Sequence, residues 1–429
     1  MKRFISLVLL SSLFLFSFCS FAKPVIKVSI VKGFKQRPVI AFPDSWNETD
    51  KSIDVKMLDN LIRNDLMLSG KTSLMMDREQ INAAAKGEAF DKMKYENWEK
   101  LGIEFLVKIK ISNDIGVPCV TYHIYDMTKK ELIAENSLKG TKKNLRNLGH
   151  DAADDILMAL TGSIGLGGTR IAFVSDKRGT KTIYSSDIQG EDIQQLVFDK
   201  AMVISPEWGM NRESIVYVSY QSINPGIFIK YMGTNNFEAL AVFPGLNANP
   251  KLNNQNEMVF TASKDGNPEI YKKHLLTGKV DRLTRRNGVD ASPCWSPDSK
   301  FIAFVSSGSG TPQIYIMDSD GNNVTRITNA GDYNSCPNFS PDGKYLAYST
   351  RIKNKMCLAL YNFQTGSNDI IVSHMKDAES PCFAPNSVNI AFSSNVDKNN
   401  WDIYIIDVET KKIFQVTKKF GNCTNPSWR

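Results

Sequence analysis

Little of what catalysis by linear motif requires is present in these 429 residues. The four histidines, His123, His150, His274 and His374, stand far apart, and none has a metal-spaced partner. Each therefore reads as a structural or surface histidine. No CxxC and no Cys/His pair at zinc spacing occurs, so no metal site is expected. Gly165-Leu166-Gly167-Gly168 lacks GK[ST] and follows a helical pattern, which makes it a linker and not a phosphate loop. Asp318, Asp320 and Asn322 begin like a calcium loop. Asn323 and Asn329 then stand where that loop needs Gly and Glu, so turn chemistry is the better reading. The carboxylate pair Asp154-Asp155 sits on a predicted helix and reads as a solvated face.

Charge of one sign is also scarce. The formal balance is +7, or +5 once the first 22 residues are set aside, with no dense basic run. A surplus so small must cluster to act, so neither nucleic acid nor membrane is an expected partner. Beyond the first 22 residues no stretch of 18 is predominantly apolar. Composition is otherwise ordinary, 42% apolar and 23% charged, which excludes a collagen-like or broadly disordered chain. At about 150 residues per domain, two to three domains are expected.

Residues 1–22 read as a secretory signal: Lys2 and Arg3, an apolar run from Phe4 to Phe18, then Ser20-Phe21-Ala22 with small residues where a signal peptidase reads. Bulky Phe18 before Cys19 speaks against a lipoprotein anchor. The expectation is export to the periplasm as a soluble monomer, without membrane insertion after cleavage. Cys119, Cys294, Cys336, Cys357, Cys382 and Cys423 would remain. An oxidising compartment permits disulfides, but the sequence chooses no pairing, and buried thiols acting as small apolar side chains are the simpler reading.

Self-similarity is the strongest signal present. A small or polar residue, Pro, any residue and a large apolar one recur as Ser205-Pro206-Glu207-Trp208, Asn249-Pro250-Lys251-Leu252, Ser292-Pro293-Cys294-Trp295, Cys336-Pro337-Asn338-Phe339, Ser380-Pro381-Cys382-Phe383 and Asn425-Pro426-Ser427-Trp428. The prolines are 44, 43, 44, 44 and 45 residues apart. An alternating strand follows each of the first five, and a sixth such strand, Arg170 to Ser175, precedes them all. Four short strands in such a unit make one propeller blade. The first unit lacks an inner strand and the last pattern lacks a unit. Residues from about Thr424 to Arg429 should therefore pair beside Arg170 to Ser175 and close a six-bladed ring, since an open ring would leave two sheet edges unpaired.

Residues 23–162 show no repeat. Strands are predicted at 24–31, 38–42, 104–112, 117–126 and 131–137, and helices at 53–68 and 143–160. The fold class is thus an α/β N-terminal domain followed by an all-β six-bladed propeller over residues 163–429. The Gly-rich stretch 161–169 is placed as a hinge between them.

Signal, α/β domain, Gly-rich junction and six units carrying Ser296-Pro297-Asp298-Ser299-Lys300 and Ser340-Pro341-Asp342-Gly343-Lys344 together resemble the TolB family, periplasmic components of the Tol–Pal envelope system. The resemblance implies a non-catalytic scaffold with no cofactor. It implies docking of the lipoprotein Pal on the propeller, and of TolA through the mature N-terminal segment, in envelope integrity and constriction at cell division. The positions matching the Pal-facing loops are Leu246, Asn247, Asn249, Asp290, Ala291, Ser292, Asn334, Ser335, Glu379, Ser380 and Asn422. Relatives can carry His where Leu246 stands. Those matching the TolA-facing segment are Val25, Ile26, Val28, Ile30 and Phe34, in a strand-like pattern able to pair within its own domain or add to a partner's sheet edge. The alternative is a propeller enzyme of lyase or lactonase type, with a dispersed channel site. No GxSxG elbow is present and nothing follows the propeller, which argues against a peptidase.

Overall fold

A computed structural model describes residues 37–49, 53–210, 213–234, 236–396 and 400–429. The expected signal, the strand at 24–31 and the five TolA-facing positions lie outside the described residues.

The N-terminal domain is built on strands β1 (Val39–Ala41), β2 (Trp46–Glu48), β3 (Ser73–Leu74), β4 (Phe105–Asp114), β5 (Val117–Asp126) and β6 (Glu131–Lys139). Their order is β3-β1-β4-β5-β6, with β2 paired to β4. Helix α1 (Val55–Leu68) starts where Asp54 accepts the Met57 amide N–H, a side-chain cap for one of the unpaired donors of the first turn. Its apolar stripe, Leu58, Leu61, Ile62 and Leu66, packs with Leu148, Ile156 and Leu157 of α3 (Leu145–Thr161) against one sheet face. Helix α2 (Arg78–Ala85), not foreseen from the sequence, covers the other face, where Ile81 packs with Trp98 and Leu106. Strand β4 also buries Lys108 completely. Its ammonium is satisfied by Glu88 at 2.7 Å and by the carbonyls of Ala89 and Lys92. A buried charge survives only with such partners.

Six four-stranded sheets follow, and the ring closes as the sequence requires. Strand Cys423–Trp428 pairs antiparallel with Ile171–Ser175, Thr424 opposite Val174 and Trp428 opposite Ile171. That makes blade one. Blades two to six begin with the inner strands Val203–Trp208, Asn247–Leu252, Asp290–Trp295, Asn334–Phe339 and Ala378–Phe383. Apolar residues of neighbouring blades interleave. Ala172, Val174 and Ile183 of blade one, for instance, share a cluster with Trp208, Ile215 and Tyr217 of blade two. The six described cysteines are free thiols, five of them buried and Cys336 half-buried.

Two expectations are corrected. The stretch 161–169 is held fast rather than loose. Asp154 accepts the amides of Gly167 (2.9 Å) and Gly168 (3.2 Å), and Thr169 Oγ1 accepts from the Trp428 indole at 2.9 Å. A Cβ at Gly165 would fall 1.8 Å from Asp154 Oδ1, so glycine serves close approach there, not flexibility. The pair Asp154-Asp155 is likewise no solvated face, because Asp155 accepts from the Tyr122 hydroxyl at 2.8 Å and from the Asn136 amide at 2.7 Å.

Candidate functional site

The repeated X-Pro pattern shapes the axis of the ring. In every blade the residue before Pro has a left-handed backbone: Ser205 (φ 53), Asn249 (φ 50), Ser292 (φ 50), Cys336 (φ 52), Ser380 (φ 56) and Asn425 (φ 52). Each marks a register shift in the inner strand. The bulge places Pro, which has no N–H to donate, where the ladder is interrupted. The N–H of the residue before it finds a hydroxyl in the preceding blade: Ser292 donates to Thr261 (3.1 Å), Ser380 to Ser349 (3.0 Å) and Asn425 to Ser393 (3.1 Å).

These six residues ring a narrow channel of about 90 Å³. Within it Lys251 donates to Glu207 at 2.6 Å. Burial alone would lower the lysine's pKa, but Glu207 outweighs it and holds the ammonium charged. Among the described residues no group of three or more His, Cys, Asp or Glu could hold a metal.

The two ends of the channel differ. Strands alternate in direction, so the turns after each first and third strand share one end and the loops after each second and fourth strand share the other. The first end is clamped to the N-terminal domain. Arg37 forks onto Asp407 (2.6 and 3.0 Å) and reaches Glu409 (2.8 Å). Asn386 donates to the Ser69 carbonyl at 3.0 Å, and Gln189 to Asp65 at 2.6 Å. At the centre His150 of α3 bridges Asp65 of α1 (2.5 Å) and Asp187 of blade one (3.4 Å), with Arg146 also on Asp187 at 2.6 Å. Burial opposes a charge on His150. The bonds to Asp187 and Asp65 prevail and raise its pKa to about 9. Asp187 is held well below the carboxylate range. Burial works against this, but the bond from His150, the Glu191 amide and Arg146 prevail.

The other end, the mouth, carries the positions expected to face a partner, and the structure divides them. Asn247, Asp290 and Asn334 are fully buried, which corrects the expectation of contact for these three. Asn247 spans the carbonyls of Phe243 (2.7 Å) and Pro225 (2.9 Å), while Asn334 donates to Gln313 and the Ala330 carbonyl, both at 2.8 Å. They hold loops in shape. Asp290 occupies the equivalent place in blade four, and burial with Glu269 nearby raises its pKa despite the Ser306 hydroxyl. Asn422 clasps Asp176 at 2.7 Å through both its backbone and side-chain N–H groups. Asn249, Ser292 and Ser380 belong to the channel neck. Leu246, Ala291, Ser335 and Glu379 are half-buried at the mouth.

Exposed apolar side chains that the sequence had not singled out also ring the mouth: Ile223, Val242, Val289, Tyr333 and Val396. All lie in loops between second and third or fourth and first strands. A search of every such loop, and not only those before the inner strands, would have found them.

Fold and site define a class: a six-bladed propeller closed by its own C-terminus, with an α/β domain on one end and the opposite mouth open. A family model described as "TolB beta propeller domain" matches residues 157–429, and one described as "TolB amino-terminal domain" matches residues 26–133. The chain belongs to the TolB family of the Tol–Pal system. It is 31% identical over 253 residues to "Tol-Pal system protein TolB" of Bordetella pertussis, covering 58% of this chain and 56% of that one. It is 26% identical over 245 residues to "Protein TolB homolog" of Chlorobium chlorochromatii, covering 57% and 55%. The aligned stretch thus spans little more than half of each curated relative. Among solved structures, TolB from Acinetobacter baumannii superposes with a TM-score of 0.81 at 28% identity, covering 94% of this chain and 99% of that one.

Proposed function

We propose that this chain is a non-catalytic periplasmic scaffold of the Tol–Pal system. It docks the lipoprotein Pal at the propeller mouth and meets TolA through residues 23–34, in maintaining the envelope and its constriction at division. One observation carries the reading. The end facing away from the N-terminal domain gathers twelve loops around the axis and leaves a ring of exposed apolar side chains there, whereas the other end is tied to the N-terminal domain at blades one and six. Surfaces of that kind mark protein docking more often than they occur by chance on a monomer. The channel behind the mouth is too small for a sizeable substrate and is crossed by an ion pair, which supports binding over catalysis.

Isothermal titration of purified Pal into the full chain tests the reading. Saturable one-to-one binding, weakened at least tenfold by Ile223→Asp, is expected. No binding, or binding indifferent to that change, contradicts it. Deleting residues 23–34 should abolish binding of TolA while sparing that of Pal.

A further inference from the structure

We infer that the partner seated at the mouth presents an acidic surface around an apolar anchor. The inference rests on the docking reading above and adds the chemistry of the partner. The sequence shows no basic run, yet the fold makes one in space. Among the described residues, the twelve mouth loops carry eleven Lys and Arg against five Asp. The eleven turns of the clamped end carry five Lys against eight Asp and Glu. The charge of the propeller's connections is therefore polarised along the channel axis, and the mouth holds the positive pole.

The groups of each sign are also committed differently. The five mouth aspartates are engaged within the chain. Asp176 accepts from Asn422, Asp199 from the Ser219 hydroxyl (2.7 Å), Asp265 from Tyr271 (2.8 Å), Asp332 from Arg351 (3.0 Å) and Asp377 from the Met356 amide (3.0 Å). By contrast Lys181, Lys200, Arg285, Lys376, Lys418 and Lys419 are exposed and form no ion pair with a described carboxylate. Cations left free around a concave rim raise the local concentration of an acidic partner and speed its encounter.

One sector of the rim is different. Loops 220–225 and 242–246 contain no charged residue. Ile223, Val242, Phe243 and Pro244 line a recess of about 460 Å³ there. A mostly apolar recess beside a basic rim matches a folded protein carrying an apolar knob among carboxylates. A polyanionic lipid or glycan surface would use the rim and leave the recess empty.

The test uses the full chain and purified Pal, titrated at 50 and 300 mM NaCl. Lys418→Glu with Lys419→Glu at the mouth is compared with Lys300→Glu and Lys344→Glu at the clamped end, two exposed lysines in equivalent turns. The mouth pair should weaken Kd roughly tenfold or more at 50 mM, and the difference should shrink several-fold at 300 mM, as screened charge requires. The clamped-end pair should change Kd by less than about twofold. Equal effects of the two pairs, or affinity indifferent to salt, overturn this inference and leave the docking reading standing. No binding of Pal by the wild-type chain overturns both. Phosphatidylglycerol vesicles bound through the same lysines, with Pal affinity unmoved by the reversal, would assign the basic rim to lipid and also overturn it.

Discussion

The two ends of the propeller are made from the same repeat, yet their polar groups are spent in opposite ways. At the clamped end Asp187, Asp407 and Gln189 are consumed by Arg146, Arg37, His150 and Asp65, which tie blades one and six to the N-terminal domain. At the mouth Asn247 and Asn334 are consumed too, but within the propeller, by their own loops and by Pro225 and Gln313 beside them, so the rim beyond them is shaped and left free. A blade supplies the same two sets of connections wherever it sits. Which set binds within the chain depends on single residues such as Asp187 and Asn386, far apart in sequence.

The largest way to break this contrast is to open the ring. Deleting residues 424–429 removes Trp428, only 6% exposed, together with the inner ladder of blade one. The loss should be at least about 5 kcal/mol, most of a domain's margin, because a buried tryptophan and a strand's pairing go together. Thermal melting checks it, and a shortened chain that melts within a few degrees of the full one would mean that the end strand closes nothing.

Next comes the clamp. His150→Ala removes the cation that Asp65 and Asp187 share, leaving Asp65 to Gln189 and Asp187 to Arg146, and should cost about 3 kcal/mol by urea unfolding, with new protease cleavage at 161–169. The proton on His150 carries a pH signature. Its pKa is about 6.5 in an unfolded chain and about 9 when folded. The contribution to stability is therefore complete below pH 6.5 and is lost as pH climbs through 9. Wild-type stability should fall between pH 7 and pH 10 by more than that of His150→Gln. Gly167→Ala sharpens the same point on a smaller scale. Its Cβ would lie 2.8 Å from the His150 carbonyl, and overpacking of that kind costs about 1–3 kcal/mol.

The smallest effect belongs to the mouth. Asp290 stands where blade five uses Asn334, and its pKa is raised. A raised carboxyl contributes stability below the unfolded value near 3.9 and loses it as pH rises through the folded value. Asp290→Asn should therefore gain about 1 kcal/mol at pH 7 and nothing at pH 3.5, read from denaturant midpoints at both.

Much of this fold can be read in advance because a 44-residue period repeats local cues: the X-Pro pair, the alternating strand and the Asp/Gly turns. Ring closure follows from counting strands. What those same X-Pro pairs do cannot be read so. Their left-handed residues and borrowed hydroxyls, Thr261, Ser349 and Ser393, exist only once two blades lie side by side. The burial of Asn247, Asp290 and Asn334 escaped for a related reason, since a polar residue at a loop's end looks alike in sequence whether it faces solvent or holds the loop. The free lysines of the rim come from loops that sequence scatters over more than 240 residues, between 176 and 422. Arg78–Ala85 is a single short helix of modest apolar content, and only its packing over Trp98 makes it visible.

The central prediction is that a partner sits at the mouth and not at the clamped end. Amide hydrogen exchange of the full chain, with and without saturating Pal, tests it most directly. Slowed exchange is expected in loops 220–225, 242–246 and 416–422, with none at turns 296–300 and 340–344. Protection confined to those two turns, with the mouth loops unchanged, would contradict it.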